Sequence, residues 1–121
     1  MNLQTLTHNN VPYALVESDE VLVSDVQTAL DLMVNVRYQT DCDRIALPKA
    51  AVAEPFFRLS TGVAGEVLQK FVNYGMKLAI YGDYSHYTSK PLKDFVYESN
   101  NGSHVFFVST AEEAGEKLCG A

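Results

Sequence analysis

Apolar positions along the chain switch between two spacings, and the switches mark its elements. Leu3 to Thr7 and Tyr13 to Val16 are short apolar-rich runs separated by His8-Asn9-Asn10, whose two asparagines tolerate the positive φ of a tight hairpin. Val26, Ala29, Leu30, Met33 and Val36 then recur at helical spacing, with Asp31, Asn35 and Gln39 turned away. Ser24-Asp25-Val26-Gln27 fits a capping box, so the pattern predicts a helix starting at Asp25 and packed on a sheet. Arg44-Ile45-Ala46-Leu47 reads as a short buried strand stopped by Pro48. Pro55, within Ala53-Glu54-Pro55-Phe56-Phe57, begins an element or breaks one.

From Ser60 to Tyr74 the positions of Val63, Val67, Leu68, Phe71 and Val72 predict a second amphipathic helix, ended by Gly75. Gly62 and Gly65 fall in its first turns, where glycine weakens a helix by about 1 kcal/mol against alanine, so close packing is expected there ahead of the approach of another group. Met76 to Tyr81 is an apolar strand that runs into a polar turn. Ser89 caps a third helix with Leu92, Phe95 and Val96 on its inner face, and Asn100-Asn101-Gly102 ends it. His104 to Val108 is a last buried strand. Ser109-Thr110-Ala111-Glu112 offers a second capping box for a helix that turns Ala111, Ala114 and Leu118 inward. The order ββαβαβαβα over 1–121 predicts one α/β domain of two or three layers. Its mixed, largely parallel five-stranded sheet would carry the hairpin at one edge.

Charge and cysteine usage narrow the function classes. Fifteen acidic against nine basic residues leave a formal charge of -6, and the basic ones are scattered singly from Arg37 to Lys117. That pattern argues against nucleic acid or an anionic membrane as a partner. Cys42 and Cys119 stand far apart, and the amino-terminal residues are polar with no basic and apolar leader, so the expectation is a cytoplasmic protein with reduced thiols. No apolar run approaches the roughly 20 residues that span a bilayer. His8, His86 and His104 are isolated from other metal-ligating residues, which predicts no metal, and no cofactor motif is present.

Val16-Glu17-Ser18-Asp19-Glu20, Cys42-Asp43-Arg44-Ile45, Gly65 to Tyr74 and Tyr87 to Phe95 together resemble an uncharacterised bacterial family of small cytosolic proteins that carries only a domain-of-unknown-function label. The resemblance implies the fold and no activity. In element order alone the chain also resembles STAS domains of the anti-sigma-factor antagonist type, in which a phosphorylated serine or threonine follows a central strand. The corresponding stretch, Leu47-Pro48-Lys49-Ala50-Ala51, has no hydroxyl and departs from that pattern.

The turn Gly82-Asp83-Tyr84-Ser85-His86-Tyr87-Thr88-Ser89-Lys90 holds the densest group of chemically capable side chains, outside a strand end and beside a helix amino terminus. Asp83 can orient His86 as a general base, with Ser85, Thr88 or Ser89 as hydroxyls. The same residues are also ordinary turn formers, and Tyr84 and Tyr87 can simply cover the core edge. Acidic neighbours on both sides of Cys42 raise a thiol pKa and argue against a nucleophile there. Ser60-Thr61-Gly62 lacks the glycine spacing and lysine of a phosphate loop. Glu54, Arg58 and Glu66 offer a charged face. Adjacent Phe56 and Phe57 cannot both point inward from a regular helix or strand, so either one is exposed as an interface anchor or irregular backbone buries both.

Two functions follow from this reading. The first is a non-enzymatic regulatory or protein-interaction module, with a protein partner or a homodimer, docking through Pro48 to Ser60 and Tyr81 to Lys90. Its binding residues would be Lys49, Phe56, Phe57, Arg58, Tyr84, Ser85, Tyr87 and Lys90. The alternative is a small-molecule binder or small enzyme in a pocket outside the strand ends. There Asp83 and His86 would transfer a proton, and Lys49, Arg58 or Lys90 would hold an anionic group.

Overall fold

The computed structural model describes residues 1–120. Strands β1 (Asn2–His8) and β2 (Val11–Glu17) form the hairpin, with Asn9 and Asn10 both at positive φ in its turn. Helix α1 (Val26–Thr40), strand β3 (Arg44–Pro48), helix α2 (Val63–Tyr74), strand β4 (Lys77–Tyr81), helix α3 (Lys90–Asn100), strand β5 (Val105–Val108) and helix α4 (Ala111–Cys119) follow. Three single 3-10 turns occupy the connection from β3 to α2. The protein is thus an α/β fold with a mixed, mostly parallel five-stranded sheet.

Strand order in the sheet is the order in the chain. β1 pairs antiparallel with β2, and β2, β3, β4 and β5 are parallel neighbours. Alternate residues of β2, β3, β4 and β5 serve two separate cores. Ala14, Val16, Ile45, Leu47, Leu78, Ile80, Val105 and Phe107 pack against α1, α2 and α3. Tyr13, Ala46, Ala79, Phe106 and Val108 face Ala114 and Leu118 of α4. Because successive crossovers step across the sheet in one direction, connections of one hand place all three helices on one face. α4 covers the other face alone.

Several local expectations shift. The first capping box is one residue later than Ser24: the Asp25 carboxylate accepts from the Thr28 backbone at 2.8 Å, and the Thr28 hydroxyl accepts from the Asp25 backbone at 3.1 Å. Gln27 instead donates to Asp31. The last box moves likewise, with Thr110 accepting from the Glu113 backbone. α2 begins at Val63 and not at Ser60, because Gly62 sits at φ +78° and separates it from the preceding 3-10 turn. A Cβ on Gly65 would meet nothing within 4 Å, so close packing does not explain that glycine.

The largest correction concerns Phe56 and Phe57, neither of which is exposed. They are 1% and 3% accessible, because the 3-10 turn Glu54–Phe57 is not a regular element and turns both rings inward. Along the outer edge of β5, the Asn100 side chain accepts from the Phe107 backbone at 2.7 Å and donates to its carbonyl at 3.1 Å. α3 thereby closes part of an edge that would otherwise be open to pairing.

Candidate functional site

Ligand crevices in open α/β sheets form where neighbouring crossovers leave toward opposite faces. This sheet has no such point among β2 to β5, since α1, α2 and α3 all cover one face. The carboxyl ends of β3 and β4 are instead covered by the connections that follow. Leu22 and Val23 both donate to the Ala51 carbonyl, and Val23 bridges Val52. Phe56 lies edge-on to Phe57 with centroids 5.1 Å apart, Phe57 stacks on Tyr87 at 5.2 Å, and Tyr84 meets Phe107 edge-on at 5.9 Å. Aromatic rings fill the space beneath the loop.

Only part of the charged set converges at that edge. The Lys49 ammonium lies 4.9 Å from the Tyr87 ring centroid, 5.0 Å from that of Phe57 and 3.7 Å from the Glu54 carboxylate. Its side chain packs on Gly82, where a Cβ would come within 2.6 Å of the Lys49 Cβ. The Tyr87 hydroxyl donates to Glu54, and burial first of all raises its pKa. The Tyr84 hydroxyl donates to the Ile80 carbonyl at 2.6 Å, and burial drives its pKa well above the ordinary tyrosine range.

Asp83 accepts from the Ser85 backbone at 2.9 Å, a turn contact that lowers its pKa more than any other cause; His86 contributes to the same lowering only weakly. His86 is exposed and packs at a tilt of 36° against Tyr87, with ring centroids 4.1 Å apart. Lys90 pairs with Asp94 on the outside of α3 at 2.8 Å. Arg58 is exposed and, among the described residues, forms no ion pair. Tyr84 and Tyr87 line a cavity of about 280 Å³ with Leu92 and Lys93, and Asp83, His86, Arg58 and Lys90 do not reach it. Both cysteines are buried, and burial raises the Cys119 thiol pKa. No three of the described His, Cys, Asp or Glu residues are grouped to hold a metal ion, and no described helix is long and apolar enough to cross a membrane.

The accessible apolar surface lies elsewhere, between α1 and the carboxyl end of α2. A groove of about 560 Å³ is lined by Leu30, Asp31, Val34 and Arg37 of α1, with Tyr74 and Met76 opposite. Val34 is 67% exposed, Tyr74 62%, and Tyr38, one turn beyond Val34 on the same stripe, 89%. The sequence carried a signal for this face. Val34 and Tyr38 lie outside the inward set Ala29, Leu32, Met33 and Val36, so α1 has more large side chains than its core contact uses.

A family model described as "Domain of unknown function (DUF4180)" matches residues 8–118, and the chain belongs to that family. No curated protein and no solved structure matches it.

Proposed function

From this chain's membership of the DUF4180 family, a label that carries no activity, we propose a non-enzymatic docking module of the bacterial cytosol that works through its α1–α2 face. The observation that carries this reading is a groove walled by the exposed side chains of Val34 and Tyr74, with exposed Tyr38 one turn beyond Val34 on the same helix. Surface apolar residues are ordinary when scattered singly, whereas a continuous patch with aromatic members marks an interaction site. The carboxyl edge of the sheet supports the same reading by contrast, since its cavity of about 280 Å³ is smaller than the α1–α2 groove and takes in neither Asp83 nor His86. The resemblance in element order to STAS domains, read from the sequence, favours a regulatory partner. The docking anchors are Val34, Tyr38 and Tyr74 in place of Phe56 and Phe57.

A photo-crosslinking residue placed at Tyr38, at Tyr74 and, as control, at Tyr97 on α3 tests the face in the cells that make the protein. Adducts of defined mass are expected from the first two positions and several-fold fewer from Tyr97. Equal yields from all three, or none from Tyr38 and Tyr74, overturn the assignment.

A further inference from the structure

The two edges of the sheet are finished differently. Asn100 bonds to the outer side of β5, whereas β1 lies at the other edge with five of its seven residues exposed. β1 pairs with β2 at every position without a bulge, carries no proline, and holds none of the chain's fifteen acidic or nine basic residues. The hairpin turn fixes which backbone groups point outward. Asn9 and Asn10, at φ +53° and +64°, form a two-residue turn whose flanking pair His8–Val11 is hydrogen-bonded, and bonded and non-bonded pairs alternate from there. Leu6–Tyr13 and Gln4–Leu15 are therefore bonded pairs, while Leu3, Thr5 and Thr7 turn their N–H and C=O groups away from β2. Pro12, which has no N–H to give, stands opposite Thr7 in a non-bonded pair. Among the described residues no other backbone segment bonds to the outer groups of Leu3, Thr5 or Thr7.

We propose that β1 pairs antiparallel with β1 of a second copy, centred on Thr5, so that the two sheets join into one. The contact is separate from the α1–α2 groove, which no β1 residue lines. Natural sheets protect an open edge with charge, proline, a bulge or a cover, and β1 has none of these. A two-fold axis perpendicular to the sheet makes Thr5 face Thr5 and Leu3 face Thr7 as bonded pairs, which uses all the outward groups of these three residues in about six hydrogen bonds. On the α4 side Gln4 faces Leu6, and the two Leu6 side chains, each 36% exposed in the single chain, approach on the diagonal. A strand that meets its own copy is repelled wherever it is charged, and β1 has nothing to repel. At about 3.3 Å per residue the seam is about 23 Å long, so the contact is small and association depends on concentration.

Sedimentation of the full chain over a concentration series, with substitutions at Thr5, tests the pairing. Wild type is expected to rise from 13.4 kDa to twice that mass. Thr5→Pro deletes an N–H that β2 does not use, so the hairpin keeps its bonds while self-association weakens by at least about tenfold. Thr5→Lys and Thr5→Glu each set like charges opposite one another at the axis and weaken it comparably. An equimolar mixture of those two recovers a mixed dimer, which a folding defect in either variant would not allow. Amide exchange reads the register, since the Leu3, Thr5 and Thr7 amides gain protection as concentration rises. A wild type that stays at 13.4 kDa throughout, a dimer indifferent to all three substitutions, or a dimer that leaves those amides unprotected overturns the proposal. A monomeric wild type whose β1 amides are protected only in a lysate overturns the second copy and gives the edge to a strand of another protein.

Discussion

The Tyr87 hydroxyl lies 2.9 and 3.0 Å from the two carboxylate oxygens of Glu54, 33 residues earlier in the chain, and donates its hydrogen between them. This contact joins the connection after β3 to the connection after β4 above the buried Phe57 ring. Tyr87→Phe keeps the ring stack and removes the donor. A loss of about 1 kcal/mol in urea unfolding is expected, together with faster amide exchange at Tyr87, whose backbone donates to the Tyr84 carbonyl. Unchanged stability and exchange would mean that ring packing alone holds the two loops.

Two glycines in helices should respond to alanine in opposite directions. A Cβ on Gly65 meets open space, and alanine is the better helix former, so Gly65→Ala is expected to stabilise by about 0.5–1 kcal/mol. On α4, a Cβ at Gly115 would stand 2.6 Å from the Tyr13 hydroxyl oxygen and 2.9 Å from its ring carbon Cζ. Gly115→Ala therefore costs about 1–3 kcal/mol despite the better propensity, because the buried ring must move. Chemical denaturation of both variants checks the pair, and a common sign would contradict the packing of α4 on β2.

Alkaline pH should weaken the fold earlier than its carboxylates and lysines require. Tyr13, Tyr81, Tyr84 and Tyr87 all have raised pKa values, with burial the first cause in each. A tyrosine whose pKa is higher folded than unfolded keeps its proton longer in the native state. Its contribution is complete below the unfolded value near pH 10, and is lost as pH rises through the folded value. Urea midpoints are expected to hold from about pH 8 to 9.5 and then to fall. Tyr84→Phe should flatten that fall more than Tyr87→Phe, since Tyr84 is the more deeply enclosed. Equal slopes in both variants would show that Tyr84 titrates freely.

Element order was legible in the sequence because each element has a period of its own and each boundary a chemical cause. Asn9-Asn10 makes the hairpin turn and Gly75 ends α2, both at positive φ. Cap positions were off by one residue because Ser24 and Asp25, like Ser109 and Thr110, are adjacent groups able to cap, and only backbone geometry selects between them. The burial of Phe56 and Phe57 is hidden for a different reason. Periodicity describes regular elements, and a 3-10 turn obeys neither spacing. The groove on α1 is not legible in the apolar period because Val34 and Tyr38 lie off the inward stripe of Ala29, Leu32, Met33 and Val36. A surplus of large residues on the polar side was the available clue. Asn100 was read as a helix stop, and its bonds to β5 could not be foreseen without the register of the sheet.

The division of labour between the two faces of the sheet sets an order of events during synthesis. Each of α1, α2 and α3 leaves the ribosome beside strands it can cover, so one side of the sheet can close as it grows. Tyr13, Ala46, Ala79 and Phe106 come from all along the chain, and their shared cover, α4, follows every one of them. Until it emerges, half of the sheet is a bare apolar surface. Truncations that spare every strand yet remove α4 are therefore expected to aggregate, which light scattering of the purified product checks.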